Sequence, residues 1–371
     1  MKVIIAAAQT GGHINPGIAI ANKIKKENKN SEIMFIGTTR GLENDLVPRA
    51  GYKLKTIEAH GISRRITIKN VKNMIKTLKG LSEAKKIIKE FNPDIVIGTG
   101  GFICGPVLMA ARKLKIPTIV HESNSFPGIT TKLLSKRVDT VLVAFEDAVK
   151  RLPNAKKVVV TGTPTKIKKV DLNKTQREKL INELKLNKDM PIVLVFGGSQ
   201  GAKSINTTLI DIIKNKTNKN YQIIWASGTS QYDVIKEKLD KLGININNIK
   251  NVKILPYIYN MEEIMNLADI IISRSGAMTI TEIAITQKPA IFIPFPFATE
   301  NHQEYNARVL VNAGSAKLIL DKDLNEKILS DTLNEMIKDK DKLQQMGENA
   351  KKVAIKNVED KIYQEIKKLV E

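Results

Sequence analysis

The chain has 371 residues, 42% hydrophobic and 26% charged, without low complexity or a short repeat; this excludes a disordered or fibrous protein and exceeds what one core usually organises. Lys and Arg number 60 against 38 Asp and Glu, a formal charge of +22, but only about ten of these cations are arginine, and the bias toward Lys, Asn and Ile speaks against a nucleic-acid reader. The lone cysteine, Cys104, excludes an internal disulfide and a Cys-rich metal site, fits a reducing compartment, and reads as a small core residue.

Residues 3–8 are apolar but too short for a signal peptide, and they run into a Gly-rich turn, as a first strand would. Further β-branched runs at 33–36, 54–57, 95–98, 118–120, 140–143 and 158–160 alternate with amphipathic segments. That alternation predicts a parallel α/β sheet wound on both faces. The rhythm restarts at 191–196 and continues through 222–225, 252–255, 270–273 and 290–294, predicting a second doubly wound domain. A Lys-rich stretch from 162 to 190 reads as the linker, with a cleft opening there. Domains are expected at 1–162 and 163–345, followed by a C-terminal helix over 346–371. The longest uncharged stretch, 95–111, is interrupted by Gly98, Gly100, Gly101, Gly105 and Pro106 and is short for a bilayer span, so no transmembrane helix is expected.

Three strand, Gly-turn and helix junctions stand out. After the first strand, Thr10-Gly11-Gly12-His13-Ile14-Asn15-Pro16-Gly17 places Asn15 as a helix cap and Pro16 at its first position. The second domain opens with Phe196-Gly197-Gly198-Ser199-Gln200-Gly201-Ala202. The third junction, Arg274-Ser275-Gly276-Ala277-Met278-Thr279-Ile280-Thr281-Glu282, has Ser275 as its natural cap. Such junctions offer backbone N–H groups and a positive dipole end to a phosphate. Neither the G-x-G-x-x-G dinucleotide spacing nor a Walker A motif is present, which speaks against NAD binding and P-loop phosphoryl transfer. Glu282 is open to two readings, a ribose-diol acceptor or half of a capping box with Thr279. Asn301, Gln303 and Asn306, after the Pro294 loop, could read sugar hydroxyls or cap and solvate their helix.

His13, His60, His121 and His302 are scattered, and Asp321-Lys322-Asp323 is better explained by a helix start than by a D-x-D metal site, so no metal is expected. Residues 62–90 hold nine Lys or Arg against two Glu with apolar residues interleaved, a candidate for lying on an anionic membrane surface or simply a solvated helix.

The three Gly loops in this order, with His121-Glu122-Ser123-Asn124 and the Pro294 loop, resemble the MurG family over essentially the whole chain. That family comprises the N-acetylglucosaminyltransferases that convert lipid I to lipid II in peptidoglycan synthesis. The resemblance implies a GT-B fold, two Rossmann-like doubly wound domains with a cleft between them. It also implies UDP-N-acetylglucosamine as donor, the muramoyl sugar of an undecaprenyl-diphosphate lipid as acceptor, no cofactor, no nucleic acid, and a peripheral position on the cytoplasmic side of the cell membrane. By carry-over, Thr10, Gly11, Gly12 and Asn124 line the sugar and diphosphate side, and Ser199 holds phosphate. Ile258 meets uracil through its backbone, residues 277–282 bind diphosphate and ribose with Glu282 on the ribose hydroxyls, and Gln303 contacts N-acetylglucosamine. Two departures weaken the match, Ala8-Gln9 in place of Gly-Gly before Thr10, and Lys166 in place of an Arg donor contact that lysine cannot reproduce as a fork.

The expected reaction is inverting transfer to the 4-hydroxyl of the acceptor. His13 is the candidate base, since an imidazole suits proton transfer near neutral pH. A glycosyltransferase acting on diacylglycerol, a UDP-N-acetylglucosamine epimerase and a non-catalytic membrane-binding module are the rival readings.

Overall fold

The structure is a computed structural model that describes residues 1–60, 68–198 and 200–371, the side chains of 68–78 and 247 excepted. The described chain divides into two compact units, Met1–Thr165 with Ile355–Glu371, and Lys166–Ala354.

The first unit runs β1 (Lys2–Ala7), α1 (Gly11–Glu27), β2 (Glu32–Gly37), α2 (Glu43–Arg49), β3 (Lys53–Thr56), α3 (Ile68–Phe91), β4 (Ile95–Gly100), α4 (Cys104–Lys113), β5 (Thr118–Glu122), α5 (Ile129–Ser135), β6 (Thr140–Val143), α6 (Glu146–Val149) and β7 (Val158–Val160). Its seven strands lie in the order β3-β2-β1-β4-β5-β6-β7, all parallel, with Val3 opposite both Ile33 and Ile95. Because side chains alternate along a strand, Val3 and Ile5 pack into one cluster with Ile14, Ile18 and Ile24 of α1. Ile4 and Ala6 face the other side, among Val107 and Leu108 of α4. Both faces of the sheet are therefore buried, which explains uninterrupted β-branched runs where a half-exposed strand would alternate.

The second unit runs α7 (Lys174–Leu184), β8 (Ile192–Phe196), α8 (Lys203–Asn215), β9 (Gln222–Ala226), α9 (Tyr232–Lys241), β10 (Val252–Leu255), α10 (Met261–Leu267), β11 (Ile270–Ser273), α11 (Ala277–Thr286), β12 (Ala290–Phe292), α12 (His302–Asn312), β13 (Ala316–Leu318), α13 (Glu326–Lys338) and α14 (Lys340–Val353). Its parallel sheet is ordered β10-β9-β8-β11-β12-β13, the arrangement of the first sheet repeated. In each sheet the winding direction reverses beside the first strand, between β1 and β4 and between β8 and β11, where open α/β sheets bind ligands at the carboxyl ends of their strands.

Two expectations about organisation differ from the structure. The stretch 162–190 contains α7, fixed by a reciprocal box in which Asn173 Oδ1 accepts from Gln176 N and Gln176 Oε1 accepts from Asn173 N. The tail from 346 is not one helix: α14 ends at Val353, and a separate α15 (Val358–Val370) belongs to the first unit, where Ile362 and Ile366 are buried with Ile14 and Ile18. No described helix is long and apolar enough to cross a membrane.

Candidate active site

In the first unit the candidate residues sit at the carboxyl ends of β1, β4 and β5. Helix α1 begins at Gly11 with Thr10 as its cap in extended conformation, five residues before the start expected at Pro16. His13 N and Ile14 N both donate to Thr10 O, closing the first turn. Pro16 is accommodated inside the helix, buried, and not at its first position. The Thr10 hydroxyl caps no backbone N–H of the helix and the first turn carries no acidic residue. The helix geometry thus leaves the Gly11 and Gly12 N–H groups directed off its positive end.

His13 lies over β4. A Cβ at Gly100, whose φ is +130°, would come 2.3 Å from the imidazole, so only glycine admits the ring there. Nδ1 of His13 is 3.2 Å from Ala8 O and 3.5 Å from Thr10 Oγ1. A carbonyl accepts and cannot donate, so the Ala8 contact places a proton on Nδ1, and in the neutral ring the lone pair is then on Nε2.

Asn124 is held by a carboxylate that sequence reasoning passed over. Glu122, 6% exposed, accepts from Asn124 N and Nδ2 at 3.0 Å through Oε1, and from Gly128 N at 3.0 Å and Thr131 Oγ1 at 2.6 Å through Oε2. One buried anion satisfied by four donors fixes the loop after β5. Its neighbour His121 donates from Nε2 to Gly162 O at 2.9 Å, and burial pushes its imidazole below the ordinary 6.5, keeping it neutral. A second missed carboxylate, Glu43, is fully buried and accepts from Gln9 N, Thr38 N and Thr38 Oγ1 at 2.6 to 2.8 Å. It ties the β1–α1 loop to the β2–α2 loop and holds Gln9 at φ +80°, the position where a glycine was expected.

In the second unit a cavity of about 840 Å³ opens at the carboxyl ends of β8 and β11, lined among others by Gly197, Gly201, Ser204, Gly276, Thr279 and Gln303. The Gly turn is sterically required: a Cβ on Gly201, at φ +78°, would meet Ser227 O at 2.2 Å, and one on Gly197 would meet Ala202 N at 2.4 Å. Ser199 lies outside the described residues. Helices α8 and α11 both start at this cavity without a side-chain cap and without an acidic residue in the first turn.

The cap of α11 is Gly276, not Ser275, whose buried hydroxyl instead donates to Gln303 O at 2.8 Å. Thr279 is consequently the third helical residue and Glu282 the sixth, too deep for a capping box. Gln303 accepts from Phe295 N at 2.9 Å through Oε1, which leaves its NH2 as the donor for the cavity it lines. Asn306 is fully buried and donates to Ser275 O, so it packs the site from beneath and does not read sugar hydroxyls. Asn301 donates to Glu304. Ile258 follows β10 with its side chain 3% exposed; it and Glu282 are not among the cavity residues, and Lys166 is exposed at the start of the unit.

Asp321 belongs to a hydrogen-bonded cluster. Arg274 donates to Asp321 Oδ1, to Ile293 O and Pro294 O at 3.0 and 3.1 Å, and to Ser204 Oγ at 3.0 Å, while Ser204 donates to Asp321 at 2.6 Å. One guanidinium thus joins the turns after β11, β12 and β13 to the first turn of α8. No group of three or more metal-ligating side chains occurs among the described residues. Residues 62–67 of the basic stretch lie outside the described residues; α3 covers the rest.

Two doubly wound sheets with uncapped helix termini at Gly turns define a two-domain α/β protein whose helix starts have the backbone N–H groups that suit an anion. Residues 3–143 match the glycosyltransferase family 28 N-terminal domain and residues 192–362 its C-terminal domain. A UDP-N-acetylglucosamine--N-acetylmuramyl-(pentapeptide) pyrophosphoryl-undecaprenol N-acetylglucosamine transferase from Acetivibrio thermocellus is 44% identical over 371 residues, covering 100% of this chain and 98% of its own. The crystal structure of Acinetobacter baumannii MurG superposes with a TM-score of 0.79 at 28% identity over 99% of both chains. A UDP-GlcNAc 2-epimerase from Neisseria meningitidis shares the fold, with a TM-score of 0.67 at 16% identity over 99% of this chain and 100% of its own. The chain belongs to glycosyltransferase family 28 and, within it, to the MurG family of N-acetylglucosaminyltransferases with the GT-B fold.

Proposed function

We propose that this protein transfers N-acetylglucosamine from UDP-N-acetylglucosamine to the 4-hydroxyl of the N-acetylmuramoyl sugar of lipid I, with inversion, forming the β-1,4 disaccharide of lipid II. The observation that carries the reading is the second unit's cavity, where the uncapped termini of α8 and α11 meet one space beside Gln303. Two helix dipoles and their N–H groups suit a diphosphate, and stabilise it most as it departs with increased negative charge. In this reading residues 277–281 and the Ser199 turn hold the diphosphate, Glu282 accepts from the ribose hydroxyls, the Ile258 backbone meets uracil, Gln303 donates to the acetamido sugar, and Lys166 supplies a point charge. No metal ion is required for that charge stabilisation.

The first unit supplies the acceptor chemistry, with Thr10, Gly11, Gly12 and Asn124 on the sugar and diphosphate side. The acceptor O4 attacks C1 of the donor sugar as the bond from C1 to the UDP oxygen breaks. The O4 proton passes to Nε2 of His13, whose Nδ1 proton is fixed on Ala8 O. A single displacement inverts the anomeric carbon. The acceptor in this reading is a lipid, so the enzyme works at a membrane surface, and we take that surface to be the anionic cytoplasmic face, with the basic stretch 62–90 as the contact.

Labelled UDP-N-acetylglucosamine offered with lipid I, with diacylglycerol and with no acceptor tests the proposal. Label on lipid I with stoichiometric UDP release is expected. Label on diacylglycerol alone, or an epimerised sugar nucleotide without acceptor, overturns it.

A further inference from the structure

A second cavity, about 310 Å³, lies wholly in the first unit and has no part in the reading above. Its walls are Gln9, the Thr38–Gly41 turn, the segment from Ile57 to His60, and Phe102. These follow β1, β2, β3 and β4, so the cavity runs along the carboxyl edge of four adjacent strands.

The cavity is built, not incidental. Buried Glu43 holds two of its walls together through Gln9 N and Thr38. A Cβ on Gly41 would come 1.8 Å from the Glu43 carboxylate, so the turn requires glycine. The Gln9 backbone is kept in a left-handed conformation that most residues avoid, and such conformations concentrate at ligand sites. On the far side Glu58 N donates to Glu83 of α3 at 2.8 Å, pinning the third wall.

Its chemistry favours an anion. Arg40 is exposed on the wall and forms no ion pair among the described residues. Thr39 and Gln9 add neutral donors, whereas the Glu58 carboxylate is engaged by Lys79 at 3.4 Å and lies 3.8 Å from His60 Nε2. The lining thus holds two charged side chains, Glu58, which Lys79 engages, and Arg40, which has no ion partner among the described residues, and a guanidinium fork matches a carboxylate.

Position identifies the source of that carboxylate. Gln9 and Phe102 flank the loops that hold His13, through Ala8 O and Gly100. On a muramoyl sugar the lactyl arm that carries the peptide leaves C3, the carbon next to the attacking O4, while the lipid diphosphate leaves C1 across the ring. With O4 at His13 and the C3 side of the ring turned toward Ala8 and Gly100, the C3 arm starts beside Gln9 and Phe102. We infer that this cavity is the acceptor's peptide subsite, with Arg40 binding a carboxylate of the peptide; the inference rests on the transferase reading above. Ligand cavities span roughly 300 to 1,000 Å³, so this one takes part of a pentapeptide.

The test compares two muramoyl diphosphate lipids, one bearing the pentapeptide and one ending at the lactyl amide, in wild type, Arg40→Ala and Arg40→Lys, with UDP-N-acetylglucosamine as donor. In wild type the peptide-bearing acceptor has the lower KM. Arg40→Ala is expected to shrink the ratio of the two acceptor KM values by about tenfold, the size of a lost charged hydrogen bond, and Arg40→Lys to shrink it less. An equal rise in both KM values means that Arg40 reads the shared sugar or diphosphate and overturns the inference. So does an unchanged ratio. Melting curves confirm that the variants are folded. If wild type glycosylates neither lipid, the transferase reading itself falls, and this inference with it.

Discussion

At the scale of single residues, the site rests on two buried carboxylates, Glu43 and Glu122, that touch no proposed reacting group but position those that do. Glu43 keeps Gln9 at φ +80°, where a side chain with a Cβ is disfavoured by about 1 to 2 kcal/mol. Gln9→Gly therefore raises the free energy of unfolding by about 0.5 to 1 kcal/mol after the added entropy of the unfolded chain is deducted. A urea midpoint that falls instead would show that the Gln9 side chain, not its backbone, matters to the fold. His13 and Glu282 separate by kinetics. His13→Ala lowers kcat by about 100-fold or more with the donor KM little changed. Glu282→Ala raises the donor KM. Near-normal turnover in the first variant would remove His13 from the base role, and an unchanged donor KM in the second would remove Glu282 from the ribose.

At the scale of elements, Arg274 makes the second unit's cavity a single piece. From the turn after β11 its guanidinium meets the turns after β12 and β13 and the start of α8, and a lysine at that position presents neither the fork nor the number of donors. Arg274→Lys is expected to raise the donor KM by about tenfold, with a smaller change in kcat, as the Pro294 turn and Gln303 lose their common support. A loss confined to kcat would instead place Arg274 on the reacting phosphates. Asp321, within a D-x-D pattern in the sequence, is a partner in this cluster.

At the scale of the whole molecule, α15 closes the first unit from the far end of the chain. Burial alone would raise the Glu365 carboxyl, but hydrogen bonds from Lys157 and Lys368 outweigh it and hold the group below its ordinary 4.5. A carboxylate depressed in the folded state contributes stability that is complete above its unfolded value and is lost as pH falls through the folded one. Amides of α15 should therefore exchange faster, relative to a Glu365→Gln variant at the same pH, as pH drops from about 6 to about 3. Equal behaviour of the two proteins would show that apolar contacts alone dock the helix.

How much of this was legible in sequence follows from range. Strands buried on both faces need not alternate, so β1, β8 and β11 coincide with apolar runs that local composition exposes, whereas β3 is largely exposed and β10 alternates. β13, with Ala316, Lys317 and Leu318, carries no such signal and went unread. The start of α1 was misplaced because proline favours the first helical position, and nothing local says that Thr10 has already closed a turn. The Gly turns announced the strand-to-helix junctions at which α1, α8 and α11 begin. The anchors Glu43, Glu122 and Arg274 did not announce themselves, because their partners lie on other loops and only the folded sheet edge brings them together. The apolar face of α15 predicted burial without naming the surface that receives it.

That surface has a consequence for biosynthesis. Residues 166–354 are complete, with their own core, before Ile362 and Ile366 exist. During translation the second unit can finish folding while the first waits for the last helix, its groove along α1 still bare. A chain stopped before Ile362 would carry an intact second unit and an unsealed first unit, a product that proteases recognise by its exposed isoleucines.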